Sequence, residues 1–78
     1  MSQDKASAIL TAIGGADNVV EIEPCITRLR CEVRDAALID EPALRALGVH
    51  GVLRAGGAVQ IVVGPDADTI ASDIEDLL

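Results

Sequence analysis

Apolar residues recur along this chain with two different periods, and the order in which the periods alternate limits the folds open to it. Ala6, Ile9, Leu10 and Ile13 keep the spacing of one helix face, and Gly14-Gly15 follows as a stop. From Val19 to Glu23 the period drops to two, with Val20 and Ile22 on one side and Glu21 and Glu23 on the other, and Pro24 ends the run. The alternation resumes from Arg28 to Val33, where Leu29, Cys31 and Val33 oppose Arg28, Arg30 and Glu32. A helix is expected from about Glu41 to Leu47, with Asp40 as N-cap, Pro42 in the first turn, Gly48 at the end, and Ile39 and Leu44 as a hydrophobic staple. Val52 to Ala55 and Val59 to Val63 read as two strands turned by Gly56-Gly57. After Gly64-Pro65-Asp66 comes a last helix with the stripe Ala67, Ile70, Ala71, Ile74 and Leu77, and with Asp66 and Asp68 at its positive end.

The order helix-strand-strand-helix-strand-strand-helix, in one domain over residues 1–78, predicts an α+β open-faced sandwich. Two hairpins build a mainly antiparallel four-stranded sheet, and three helices cover one face. The core must be aliphatic, because half the residues are hydrophobic and Phe, Tyr and Trp are absent. Arg28 and Arg30 fall on the uncovered face, and Cys25 in the connection of the first hairpin.

Charge removes several function classes. Six Lys and Arg against thirteen Asp and Glu give −7, and no aromatic ring is available for stacking, so no nucleic-acid partner is expected. The scattered carboxylates and single histidine offer no metal site, and no cofactor is implied. Apolar runs are too short to span a bilayer, and the polar N-terminus does not read as a signal peptide, so a cytosolic location with reduced thiols is expected. Cys25 and Cys31, separated by a strand, would lie about 15–20 Å apart, beyond disulfide reach.

The chemistry concentrates in Cys25-Ile26-Thr27-Arg28-Leu29-Arg30. Nearby positive charge favours the nucleophilic thiolate, and a guanidinium grips phosphate in a planar fork. Together they point to a cysteine that carries a phosphoryl group. The amides of Ile26, Thr27 and Arg28, with the Thr27 hydroxyl, are placed to form a phosphate nest, while Glu21 and Glu23 oppose the arginines. Cys31 belongs to the core face, His50 to a solvated loop, and Gln60 to the partner-facing surface. A thiol phosphatase needs five residues between cysteine and arginine. Counted from Cys25 that position is Cys31, and Arg30 comes one residue early, so the spacing speaks against it. A non-enzymatic adaptor that docks through the open sheet face is the alternative function.

Gly14-Gly15-Ala16-Asp17-Asn18-Val19, the cysteine string, Leu47-Gly48 and Val59-Gln60-Ile61-Val62-Val63-Gly64 together resemble the enzyme IIB domain of the glucose and N-acetylglucosamine branch of the bacterial sugar phosphotransferase system. The likeness runs from about Ala8 to Leu77. It implies a relay in which Cys25 takes a phosphoryl group from a phosphohistidine of enzyme IIA. The group then passes to a sugar held by the enzyme IIC permease, with Arg28 and Arg30 serving delivery. The resemblance further implies a phosphotransferase at the inner face of the membrane, and a monomer is expected. Two departures, Gly57-Ala58 before Val-Gln and a cysteine at position 31, lie outside the phosphoryl chemistry.

Overall fold

The periodic segments fold as their spacing dictates. The computed structural model describes residues 2–78, with helices α1 (Ser2–Ala12), α2 (Glu41–Ala46) and α3 (Ala67–Asp76) and strands β1 (Val19–Cys25), β2 (Arg28–Val33), β3 (Gly51–Ala55) and β4 (Ala58–Val62). The strands form one antiparallel sheet in the order β1-β2-β4-β3, so the first hairpin is joined to the second through β2 and β4. Helix α3 packs on β1 and β2, α2 reaches β3, and α1 packs mainly on α3. The expected α+β sandwich with one open sheet face is the observed one.

Between helices and sheet lies a continuous aliphatic core. Ile9, Ile13, Leu29, Leu44, Val59, Ile61 and Ile74 are fully buried within it, and Cys31 stands among them. Asp40 caps α2 through its side chain, which accepts from the Ala43 N–H at 3.1 Å, and Ile39 and Leu44 are both buried, as a staple requires. Leu77 departs from the expected stripe. Helix α3 ends at Asp76, and Leu77, its C-cap, is exposed.

Two expectations about β1 are corrected. Val19 pairs with Val33 and Glu21 with Glu32, which leaves Val20 as an extra residue in a bulge. The bulge turns Val20 outward, 56% exposed, where the alternation had placed it beside Ile22. Pro24 does not end the strand but pairs within it, opposite Leu29. Because β1 lies at the edge of the sheet, the missing proline N–H costs no ladder bond on its free side.

The Gly14–Asn18 segment holds the end of this hairpin remote from Cys25. Buried Asn18 donates from Nδ2 to the carbonyls of Ile13 (2.7 Å) and Asp35 (3.1 Å), and its Oδ1 accepts from the Asp35 N–H (2.9 Å). Gly14 has φ 107°, and a Cβ there would come within 2.5 Å of Asn18 Nδ2. Only glycine fits against the amide.

Candidate functional site

The bulge and the pairing register decide which side chains meet on the open face. Across the sheet they stand in rows. The first is Cys25, Arg28, Val62 and Gly51, the second Glu23, Arg30, Gln60 and Leu53, and the third Glu21, Glu32, Ala58 and Ala55. Successive rows are about 7 Å apart, two residues along a strand. Cys25 is thus the last residue of β1, directly opposite Arg28, and not part of the connection as the sequence had suggested. The connection is Ile26-Thr27 alone.

This two-residue turn is unusual in its backbone. Ile26 has φ 56°, the one non-glycine residue with positive φ among those described, and it is 87% exposed. Tight hairpin loops need positive φ to match the twist of their strands, and glycine or asparagine normally provides it. A β-branched side chain in that region is strained. The turn is held from behind, where the Thr27 carbonyl accepts the N–H groups of Val63 (2.9 Å) and Gly64 (3.0 Å). Gly64 is buried with φ 97°, and the His50 ring lies where a Cβ would make contact. His50 itself is exposed in the loop before β3, as expected, at the same end of the sheet.

The two arginines are exposed and each has a partner. Arg28 Nη1 donates to Gln60 Oε1 at 3.2 Å, a diagonal reach from β2 to β4. Arg30 Nη1 donates to Glu32 Oε1 at 3.3 Å, within its own strand. Gln60 therefore belongs with the arginines as well as with the outer surface. Sequence spacing could not reveal its contact with Arg28, which depends on β4 lying beside β2.

The two cysteines occupy opposite environments. Both are free, Cys25 exposed on the open face and Cys31 fully buried on the core face opposite Ile22. Burial among aliphatic side chains pushes the Cys31 thiol up to about 12, which keeps it protonated and chemically quiet. No group of three or more metal-ligating side chains occurs among the described residues, and no described helix is long and apolar enough to cross a membrane. A groove of about 310 Å³ is lined by Val20, Glu32, Val33, Ala55, Gly57 and Ala58, at the far end of the sheet from Cys25. Cys25 itself lies on an open, uncovered surface, an arrangement suited to a group that must be reached by another macromolecule.

Known proteins resemble this chain in sequence and in fold. A family described as phosphotransferase system, EIIB, matches residues 7–40. The chain is 57% identical over 74 residues to the PTS system N-acetylglucosamine-specific EIIB component of Streptomyces coelicolor, covering 95% of this chain and 96% of that protein. It is 43% identical over 70 residues to the PTS system glucoside-specific EIICBA component of Staphylococcus carnosus, covering 90% of this chain. Over 75 residues it is 40% identical to the PTS system alpha-glucoside-specific EIICB component of Leptotrichia buccalis, covering 95% of this chain. The chain spans only 10% and 14% of those two longer proteins. Among solved structures it is similar to one domain of the PTS system IIabc component from Clostridium difficile, with a TM-score of 0.84 and 28% identity over 97% of this chain and 81% of that one.

Proposed function

The chain belongs to the phosphotransferase-system EIIB family, whose members are phosphotransferases, and on that premise we propose that Cys25 is its phosphoryl-carrying residue. The observation that carries the reading is the placement of an exposed thiol directly opposite Arg28, at the open end of the hairpin, within the Cys-Ile-Thr-Arg-Leu-Arg string. The donor is a phosphohistidine of enzyme IIA. Cys25 Sγ attacks phosphorus, the S–P bond forms as the P–N bond breaks, and the thiol proton ends on the departing imidazole. In the second half-reaction a sugar hydroxyl oxygen attacks phosphorus in the enzyme IIC permease. The O–P bond forms, the S–P bond breaks, and the hydroxyl proton ends on the restored thiol.

In this reading, different groups on the open face do different work. Ile26 and Thr27 provide amides in a turn, the kind of backbone from which anion nests are made. These suffice for acceptance, because the phosphoryl group arrives with its own leaving group. Delivery to a neutral hydroxyl needs stabilisation of charge that develops during transfer, and Arg28 and Arg30 provide it. The sugar is of the glucose and N-acetylglucosamine class, and the name of the Streptomyces relative supports N-acetylglucosamine. The domain acts as one unit over residues 1–78, as a monomer at the inner face of the membrane.

Phosphorylated enzyme IIA, followed by intact-mass measurement, tests the reading. One phosphoryl group should be added to the wild type and none to Cys25→Ser. In the same assay, extended with permease-containing membranes, Arg28→Lys and Arg30→Lys should accept phosphate yet deliver it to sugar at least a hundredfold more slowly, since lysine keeps charge but loses the fork. Label remaining on Cys25→Ser would overturn the assignment, and a wild type that takes no label would leave the adaptor reading in its place.

A further inference from the structure

Both open-face guanidiniums are engaged on the side of their strand that leads away from Cys25. Arg28 stands in the first row with the thiol, yet its Nη1 bonds Gln60 in the second row. Arg30 stands in the second row, yet its Nη1 bonds Glu32 in the third. Neither contact is needed by the core, because all four side chains lie on the uncovered face. The two acceptors also differ in kind, Gln60 being a neutral amide and Glu32 a carboxylate. We propose that Gln60 and Glu32 are positioning residues that hold the two arginines one row back from the unloaded thiol and release them when a phosphoryl group arrives on Cys25.

The physical basis is competition between acceptors. A phosphoryl group carries nearly two negative charges and three strong acceptor oxygens, and charge-assisted bonds to guanidinium exceed one to a neutral amide. Arg28, opposite the thiol and held by Gln60, is therefore released readily. Arg30 is held by a full charge at 3.3 Å and is released against a real competitor. Held back in this way, the arginines leave the thiol open to the donor and meet the phosphoryl group after it has been transferred. Exchanging the two acceptor types should accordingly damage delivery, even at constant net charge.

This inference rests on the relay reading, and its test separates the two. The full chain carrying ¹⁵N-labelled arginine is compared before and after phosphorylation, and delivery is read as its ratio to acceptance. In the thiol form, Gln60→Leu should shift the Arg28 guanidinium resonances and Glu32→Gln those of Arg30. Phosphorylation of the wild type should shift both sets. Glu32→Gln should raise the ratio two- to fivefold and Gln60→Glu should lower it at least tenfold. The double variant Gln60→Glu/Glu32→Gln has the wild-type net charge and should stay at least threefold slow, because Arg28 is then the clamped one. Phosphocysteine formation with unmoved arginine resonances, or a double variant at the wild-type ratio, overturns the inference alone. A wild type that never forms phosphocysteine overturns the relay reading and the inference together.

Discussion

At the end of the β1–β2 hairpin that carries Asn18, a buried amide has every polar atom partnered. At the end that carries Cys25, the side chains stand in solvent and one residue holds a backbone conformation it disfavours. The first end is closed, with Gly14 trimmed to let the amide in. The second is open, and its hydrogen bonds run behind the turn, from Val63 and Gly64 to the Thr27 carbonyl, leaving the outer surface clear. One hairpin thus has a fully hydrogen-bonded end beside the Gly14–Asn18 segment and an exposed end at Cys25. The contrast predicts that substitutions at the two ends separate stability from phosphoryl transfer.

The largest effect on stability is expected at Asn18. Asn18→Ala removes the partner of two carbonyls and one N–H in a buried setting, at a cost of about 2–3 kcal/mol. For a domain of this size that lowers the melting temperature by roughly 10 °C or more. Calorimetry reads the loss, and acceptance of phosphate by Cys25 at a temperature where the variant remains folded should persist. An Asn18→Ala protein as stable as the wild type would end the contrast, because the closed end would then not depend on its amide.

How much of this was legible beforehand differs between the same two ends. The helices, the strands and the α2 cap were readable because each rests on a local pattern, such as the Ala6–Ile13 spacing or Asp40 ahead of Pro42. The shared face of Arg28 and Arg30 followed from the period of two in β2. What failed to show were features decided by neighbours in space. Alternation cannot reveal that Val20 is bulged out, since that depends on how β1 meets β2. Pro24 reads as a terminator until β1 is known to be an edge strand. Asn18 stood inside a recognisable motif without a role until Ile13 and Asp35 were brought to it. Ile26 gave no turn signal at all, because the glycine or asparagine that advertises such a turn is absent.

Cys31 sharpens the comparison between the two faces of the hairpin. Its thiol, pushed up to about 12 by burial, stays protonated in the folded chain at pH values where the unfolded chain ionises it near 9.0. The unfolded state therefore gains from ionisation while the folded state does not. Stability is intact below about pH 9 and falls by about 1.4 kcal/mol per unit between there and 12. Cys31→Val, nearly volume-conserving, should cost under about 1.5 kcal/mol at pH 7 and remove this decline. Denaturant unfolding of both proteins at pH 7 and pH 10 measures it, and the chain has no tyrosine to titrate in the same range. Equal pH dependence in the two proteins would mean that Cys31 is solvated as Cys25 is. A loss of phosphate acceptance in folded Cys31→Val would mean that the buried thiol takes part in transfer.

The smallest energetic effect, and the one that bears most directly on why the open end is strained, is expected at Ile26. An isoleucine at φ 56° is disfavoured by roughly 1–2 kcal/mol relative to ordinary backbone. Glycine relieves this, but gives back about 0.5–1 kcal/mol through the freedom of its unfolded chain. Ile26→Gly should therefore be more stable by about 0.5–1 kcal/mol, an unusual sign for the removal of a large side chain. The lost side chain makes no core contact to offset the gain, because it is 87% exposed. We propose that an aliphatic group held outward beside the thiol, in a conformation it resists, serves docking of the donor. Ile26→Gly, and Ile26→Glu with it, should accordingly accept phosphate from enzyme IIA several-fold more slowly. Denaturant unfolding and the rate of phosphocysteine formation give the two numbers for each variant. If Ile26→Gly gains stability and keeps the wild-type rate, the strain has no functional counterpart. If it loses both, the turn depends on Ile26 in a way that exposure and φ do not explain.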